Sequence, residues 1–198
     1  MEASQGMATG ATTWAVSEMP AASAIPKTSF LADKKRVCMF TGHRNIPEDK
    51  ILHMVNRLDE EIERLVGLGF TVFQVGGALG ADYITSLVII NKRLIHKDIK
   101  LVLALPYRDF DSKWPSDKHR ILYRELFLPQ ADEIIYVSEE YDRDCYRRRN
   151  QFMADNSAYC LCAMLRGQEW YINDRGHGEK GWACGGECYK VMDFMHVS

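Results

Sequence analysis

The sequence predicts an α/β protein built on a parallel central sheet of about five strands. Two observations carry this. Short apolar runs of strand length alternate with longer stretches whose apolar residues recur at helical spacing. Each apolar run also ends in a loop rich in glycine, proline or polar residues, as βαβ units require. No internal repeat is present.

The first strand is Val37-Cys38-Met39-Phe40, closed by Thr41-Gly42. Pro47 then opens a helix with an apolar stripe of Ile51, Leu52, Val55, Leu58, Ile62, Leu65 and Val66, which Gly67 and Gly69 terminate. A second strand, Thr71 to Val75, runs into Gly76-Gly77-Ala78-Leu79-Gly80. The helix that follows extends from about Ala81 to His96, with Ile84, Leu87, Val88 and Leu94 expected inward. Lys100 to Leu105 is the third strand, ended by Pro106. An aromatic, polar loop through Trp114 and Pro115 precedes a helix carrying Ile121, Leu122, Leu126 and Phe127. Glu133 to Val137 forms the fourth strand, Arg147 to Asn156 a helix, and Tyr159 to Met164 the fifth strand. Gly185-Gly186 is expected to lead into a final helix, Glu187 to Met195.

Two segments stand apart from this pattern. Residues 1–34 are rich in Ala, Ser, Thr and Met, are broken by Pro20 and Pro26, and show no sustained period, which reads as a flexible N-terminal leader or arm. The domain then occupies 35–198. Within it, 166–184 is a long loop containing Trp170, Tyr171 and Trp182, with glycines able to hinge it as a lid.

Composition narrows the functional classes. The chain has 198 residues, is 46% hydrophobic and 26% charged, and carries a net charge of −2. That is globular usage, and it argues against nucleic acid as a partner, because phosphate contacts need clustered cations. No apolar run approaches the ~20 residues of a membrane span, so no membrane partner is expected. Six cysteines are present, Cys38, Cys145, Cys160, Cys162, Cys184 and Cys188, without a secretory signal. Reduced thiols and a cytoplasmic location are the expectation. Cys160-x-Cys162 and Cys184-xxx-Cys188 match no common zinc spacing, so neither a metal nor another cofactor is expected.

In a parallel sheet joined by right-handed crossovers, all carboxyl ends share one edge, where ligands of open α/β folds bind. The first loop there is Thr41-Gly42-His43-Arg44. It offers close backbone approach, a titratable ring and a planar donor fork, although such a stretch alone reads more readily as a tight turn. The second, Gly76-Gly77-Ala78-Leu79-Gly80-Ala81-Asp82, can turn backbone N–H groups toward an anion at a helix N-terminus. It matches neither the Walker pattern nor the dinucleotide spacing. Asp82 reads equally as a first-turn cap and as a ligand of ribose hydroxyls. Tyr107, Ser138 and Tyr141 follow the third and fourth strands. Of Arg147-Arg148-Arg149-Asn150, Arg149 and Asn150 are the expected cleft-facing pair.

TGHR, GGALGAD, LPY, SEEY and RRRNQFMADNSAYCLC, in that order before a Gly-Gly turn, together resemble the YpsA-like branch of the SLOG superfamily, a Rossmann-like group related to the DprA and LOG proteins. The resemblance spans about Arg36 to Met192. It implies a three-layer Rossmann-like domain that binds a nucleotide-derived small molecule, of the ADP-ribose-like or cyclic nucleotide kind. Phosphate-ready loops, an aromatic lid and the lack of a convincing acid/base pair point to a sensor or sequestering protein without catalysis. The ligand-binding set that the resemblance implies is Gly42, His43, Arg44, Gly76, Gly77, Gly80, Asp82, Arg149, Asn150, Gly185 and Gly186, to which the reading of the loops adds Thr41, Tyr107 and Ser138.

The LOG-type PGGxGTxxE pattern is absent. Nucleoside-monophosphate N-glycosidic hydrolysis, with Glu187, Asp82 or His43 as acid/base candidates, is therefore the alternative. Single-stranded DNA binding of the DprA type is the third reading. A homo-oligomer is expected, because lid and leader can cross between subunits.

Overall fold

The computed structural model describes residues 12–15, 28–164 and 189–193. Its strands are β1 (Thr12–Ala15), β2 (Val37–Gly42), β3 (Val72–Val75), β4 (Lys100–Leu105), β5 (Glu133–Tyr136), β6 (Tyr159–Met164) and β7 (Tyr189–Asp193). The helices are α1 (Glu48–Gly67), α2 (Ala81–Lys92), α3 (Asp117–Leu122) and α4 (Cys145–Asp155). A π-helical turn, Tyr123–Phe127, continues α3.

All seven strands join one parallel sheet in the order β1-β5-β4-β3-β2-β6-β7. The chain steps from β2 through β3 and β4 to β5 in one direction, then returns across the sheet to place β6 on the far side of β2. The carboxyl ends of β2 and β6 therefore flank the point where the winding reverses, which is where open α/β sheets present their ligand crevice.

Alternation along the strands sorts side chains into two layers. Cys38 and Phe40 of β2, Phe73 and Val75 of β3, and Leu101, Leu103 and Leu105 of β4 face a core completed by Met54, Leu58, Ile62 and Leu65 of α1, Val88 and Ile89 of α2, and Tyr123 and Phe127. Val37 and Met39, Val72, and Val102 and Ala104 face the opposite side, against Phe152 and Met153 of α4 and against Leu31. With strands buried on both faces, near-continuous apolar runs replace polar–apolar alternation. Among the described residues, no helix is long and apolar enough to cross a membrane.

The structure adjusts several expectations. The sheet gains two edge strands beyond the five read from sequence. One, β1, lies within residues 1–34. The other, β7, occupies the stretch expected to be helical, where Tyr189 to Asp193 pairs with Cys160 to Met164. A five-residue segment with alternating apolar positions fits either period, and pairing with β6 settles it. Ile51 and Leu52 are exposed, and Met54 takes the buried place in the first turns of α1. Leu87 and Leu94 are likewise exposed, as are Ile121 and Leu126 of the third helical stretch.

Packing also begins before Lys35. Leu31 is buried, and the carboxylate of Glu133 at the start of β5 accepts from Ser29 Oγ (3.0 Å) and from the Phe30 N–H (3.0 Å). Burial pushes the Glu133 carboxyl above the usual carboxylate range, while these two donors oppose that rise. Ser29→Ala removes one of them from a buried oxygen. The expected loss is about 1–3 kcal/mol in urea unfolding, with the fold retained in the far-ultraviolet spectrum.

Candidate functional site

The glycine loop between β3 and α2 is shaped from below. Asp82, in the first turn of α2, and Arg149 of α4 form an ion pair (3.6 Å) whose side chains are each 9% exposed. Asp82 Oδ2 also accepts from the Ala78 N–H (3.1 Å), so the carboxylate holds the loop and the arginine together. A side chain on Gly76 would occupy the position of the Arg149 guanidinium, which is why glycine stands there. Burial raises the Asp82 carboxyl and lowers Arg149, while the attraction between the two opposes both shifts.

The loop after β2 is fastened to the same place. The Ala81 N–H donates to the His43 carbonyl (3.0 Å), and Gly80, at φ +85°, lies directly against the Arg44 backbone. Only glycine combines that φ with such an approach. Gly42 packs against Ala81 and Ala163, closing β2 onto α2 and β6. His43 is buried, and burial lowers its pKa from the ordinary value. Thr41, half-buried, is the next-to-last residue of β2 and lies opposite Cys162.

Above this floor lies a cleft of about 380 Å³, within the usual range for small ligands. Arg44, Ala78 and Leu79 form one side. Tyr107, Phe110, Lys113, Trp114 and Pro115, from the segment after β4, form another, and Tyr141 and Tyr146 complete it. The rings are mutually braced: Tyr107 meets Phe110, Tyr141 and Tyr146 edge-on, and Phe110 meets Trp114. Burial and the neighbouring Tyr146 push the Tyr107 phenol up to about 12, so it stays protonated.

Arginines behind the walls hold these loops. Arg124 binds Asp111 through Nε (2.7 Å) and Asp109 through Nη2 (3.2 Å), and Arg120 donates to the Trp114 carbonyl (2.8 Å). On the other wall, Arg148 donates to Ser138 Oγ (2.8 Å) and pairs with Asp142, bracketing Tyr141 between them.

Charge is therefore unevenly matched. Arg120, Arg124, Arg147, Arg148 and Arg149 each have a carboxylate partner. The two cleft cations instead sit over rings, Arg44 over Tyr146 (5.2 Å to the centroid) and Lys113 over Tyr141 (4.5 Å). Such an arrangement can hold an anion beside a flat, stackable group.

The sequence-predicted residues thus divide. Arg44, the loop Gly76–Gly80 through Ala78 and Leu79, and Tyr107 meet at the cleft. Asp82 and Arg149 lie beneath the loop as its support, and Asn150 is buried beside Arg149 in sequence. The Ser138 hydroxyl is engaged by Arg148. Gly185, Gly186 and Glu187 lie outside the described residues, as does the loop 166–184. Phe110, Lys113, Trp114 and Tyr146 were missed; the aromatic density of the segment after Pro106 was the available signal. Among the described residues, Cys38, Cys145, Cys160 and Cys162 are buried and in no disulfide, and no group of three His, Cys, Asp or Glu side chains is placed to hold a metal ion.

Two outcomes are expected. Asp82→Ala leaves Arg149 buried without its carboxylate and should cost about 3–5 kcal/mol in urea unfolding, part of it recovered by adding Arg149→Met. The second concerns His43, whose lowered folded pKa lets the unfolded chain bind a proton that the folded chain refuses. Its share of stability is complete above about pH 6.5 and falls as the pH drops toward the folded value. His43→Gln should flatten that part of a plot of unfolding free energy against pH.

Known proteins resemble this chain over much of its length. Residues 38–170 match the YpsA family model, described as the YspA SLOG family. The uncharacterized SPbeta prophage-derived protein YoqJ of Bacillus subtilis (strain 168) is 31% identical over 97 residues, 43% of this chain and 56% of that protein. The match therefore spans little more than half of that relative. Among solved structures, similarity extends to DNA processing protein A of Helicobacter pylori, described for its single-stranded DNA binding mode. It is 18% identical, with a TM-score of 0.46, covering 69% of this chain and 58% of that one. The corresponding protein of Streptococcus pneumoniae is 13% identical, with a TM-score of 0.45, covering 73% and 53%. Since the family model takes in more than half of the chain, from inside β2 to beyond β6, this protein belongs to the YspA SLOG family.

Proposed function

We propose that the cleft binds a nucleotide-derived small molecule, of the ADP-ribose-like or cyclic nucleotide class, and that the protein senses or sequesters it without turning it over. A nucleotide- or nucleic-acid-related binding role goes with the family. The finer reading is supported chiefly by one observation: Arg44 and Lys113, which among the described residues sit over rings rather than in carboxylate ion pairs, share a cleft walled by Tyr107, Phe110, Trp114, Tyr141 and Tyr146. Phosphate suits the first pair, and the face of a base suits the rings.

The disposition of Asp82 and His43, the two described acid/base candidates, supports retention rather than cleavage. Asp82 is committed to Arg149 and the Ala78 N–H, and His43 is buried with its carbonyl engaged by α2. Neither the Asp82 carboxylate nor the His43 imidazole lines the cleft, and Glu187 lies outside the described residues.

Calorimetry with ADP-ribose, its cyclic isomers, NAD and AMP, followed by chromatography of the recovered ligand, tests this. Binding with intact ligand is the expected result. Arg44→Ala should weaken it by about 1.5–3 kcal/mol, the range of a charged hydrogen bond, with little change in stability. Trp114→Ala should remove about 1–3 kcal/mol if a base stacks there. Release of free base would establish the N-glycosidase reading instead. Failure to bind any of these, with retardation of single-stranded DNA at ~0.15 M salt, would establish the DNA reading.

A further inference from the structure

Under the glycine loop lies a side chain that the cleft leaves unused. Tyr123 opens the π-helical turn after α3 and is 1% exposed. Such turns are rare and recur at functional sites. The ring is fixed from several sides, edge-on against Phe110 (5.7 Å between centroids) and Trp114 (5.0 Å) and stacked on Phe127 (6.2 Å). Its hydroxyl is buried with no hydrogen-bond partner among the described residues, where phenylalanine would fill the same space without that penalty. Burial, and next the Asp111 carboxylate, push the Tyr123 phenol well above its ordinary range, so the group stays a proton donor.

The hydroxyl stands against Gly77, where a Cβ would lie 2.9 Å from its oxygen. One residue earlier, Arg149 fills the side-chain place of Gly76, and among the described residues its Nε is likewise buried and unpaired. Groups with unused donors therefore border two consecutive glycines. The backbone unit free to meet them is the peptide joining Gly76 to Gly77. The next peptide is fixed, since the Ala78 N–H is held by Asp82 Oδ2 (3.1 Å). Gly77 sits at φ +72°; turning the peptide before it carries φ to negative values, and glycine takes both at no steric cost. Rotation of one peptide plane leaves the path of the chain and the Asp82–Arg149 pair in place.

We propose that Tyr123 is a positioning residue for the anionic ligand, resting on the reading of the cleft given above. As the Gly76–Gly77 peptide turns its N–H toward the anion, its carbonyl swings onto the Tyr123 hydroxyl, which holds the loop in that state. Ala78, next to Gly77, and Phe110 and Trp114, in contact with Tyr123, line the cleft where that anion would sit. A hydrogen bond made in the bound state and not in the free one is a differential interaction, so it contributes to affinity alone.

Tyr123→Phe in the full chain separates this role from a merely structural one. Melting of the free variant should match or exceed wild type, because no hydrogen bond is lost. Calorimetry with ADP-ribose, its cyclic isomers, NAD and AMP should show affinity lowered by about three- to tenfold, the worth of one net hydrogen bond. The Gly77 amide resonance should shift when the bound probe is added to wild type, and shift less in the variant. A free variant that melts clearly below wild type shows the hydroxyl already paired and overturns the inference. Unchanged affinity overturns it as well, with the reading of the cleft intact. Wild type that binds none of the probes removes the reading of the cleft and this inference with it.

Discussion

The pairing of Asp82 with Arg149 beneath Gly76 is the constraint on which the carboxyl edge of the sheet depends. It joins the first turn of α2, on one side of the sheet, to α4, on the other, and it does so where the chain leaves β3. A buried ion pair is a weak source of net stability, because desolvation offsets much of the attraction. Its worth here is positional. The carboxylate takes the Ala78 N–H, the guanidinium fills the space that a side chain at residue 76 would need, and the loop is left with one path.

The remaining charges around the edge follow the same logic of confinement. Arg124 and Arg120 secure the segment that bears Phe110, Lys113 and Trp114, while Arg148 secures the segment that bears Tyr141. The exposed Arg148–Asp142 pair contributes little stability alone, while Asp111, buried beneath Arg124, needs its partner. Together they hold two aromatic walls in place without putting any of these arginines among the cleft's lining, whose described cations are Arg44 and Lys113. A site arranged in advance loses less entropy on binding than one that must be ordered by its ligand.

Much of this was legible in the sequence. The runs at β2, β4 and β6 are buried on both faces, so composition alone marks them as strands, and the glycine loop declares itself by residues no other position would select. Arg149 could be placed on α4 but not beneath the loop, because its partner lies 67 positions away and only the crossover from β5 to β6 brings them together. Leu87 and Leu94 were misplaced for a related reason. Apolar residues at helical spacing are assigned to the core by default, yet on α2 the inward places at 82 and 92 go to charges neutralised by Arg149 and by α1. Periodicity records which residues share a face, not which face is covered.

The edge strand β1 has a practical consequence for how the protein is handled. By pairing Thr12 to Ala15 with Glu133 to Tyr136, it covers one row of β5 backbone donors and acceptors. A chain trimmed to the apparent start of the domain would present that row bare, beside an already apolar sheet. Uncovered strands of this kind recruit other strands, so the shortened protein is the one to watch for association and loss from solution during preparation.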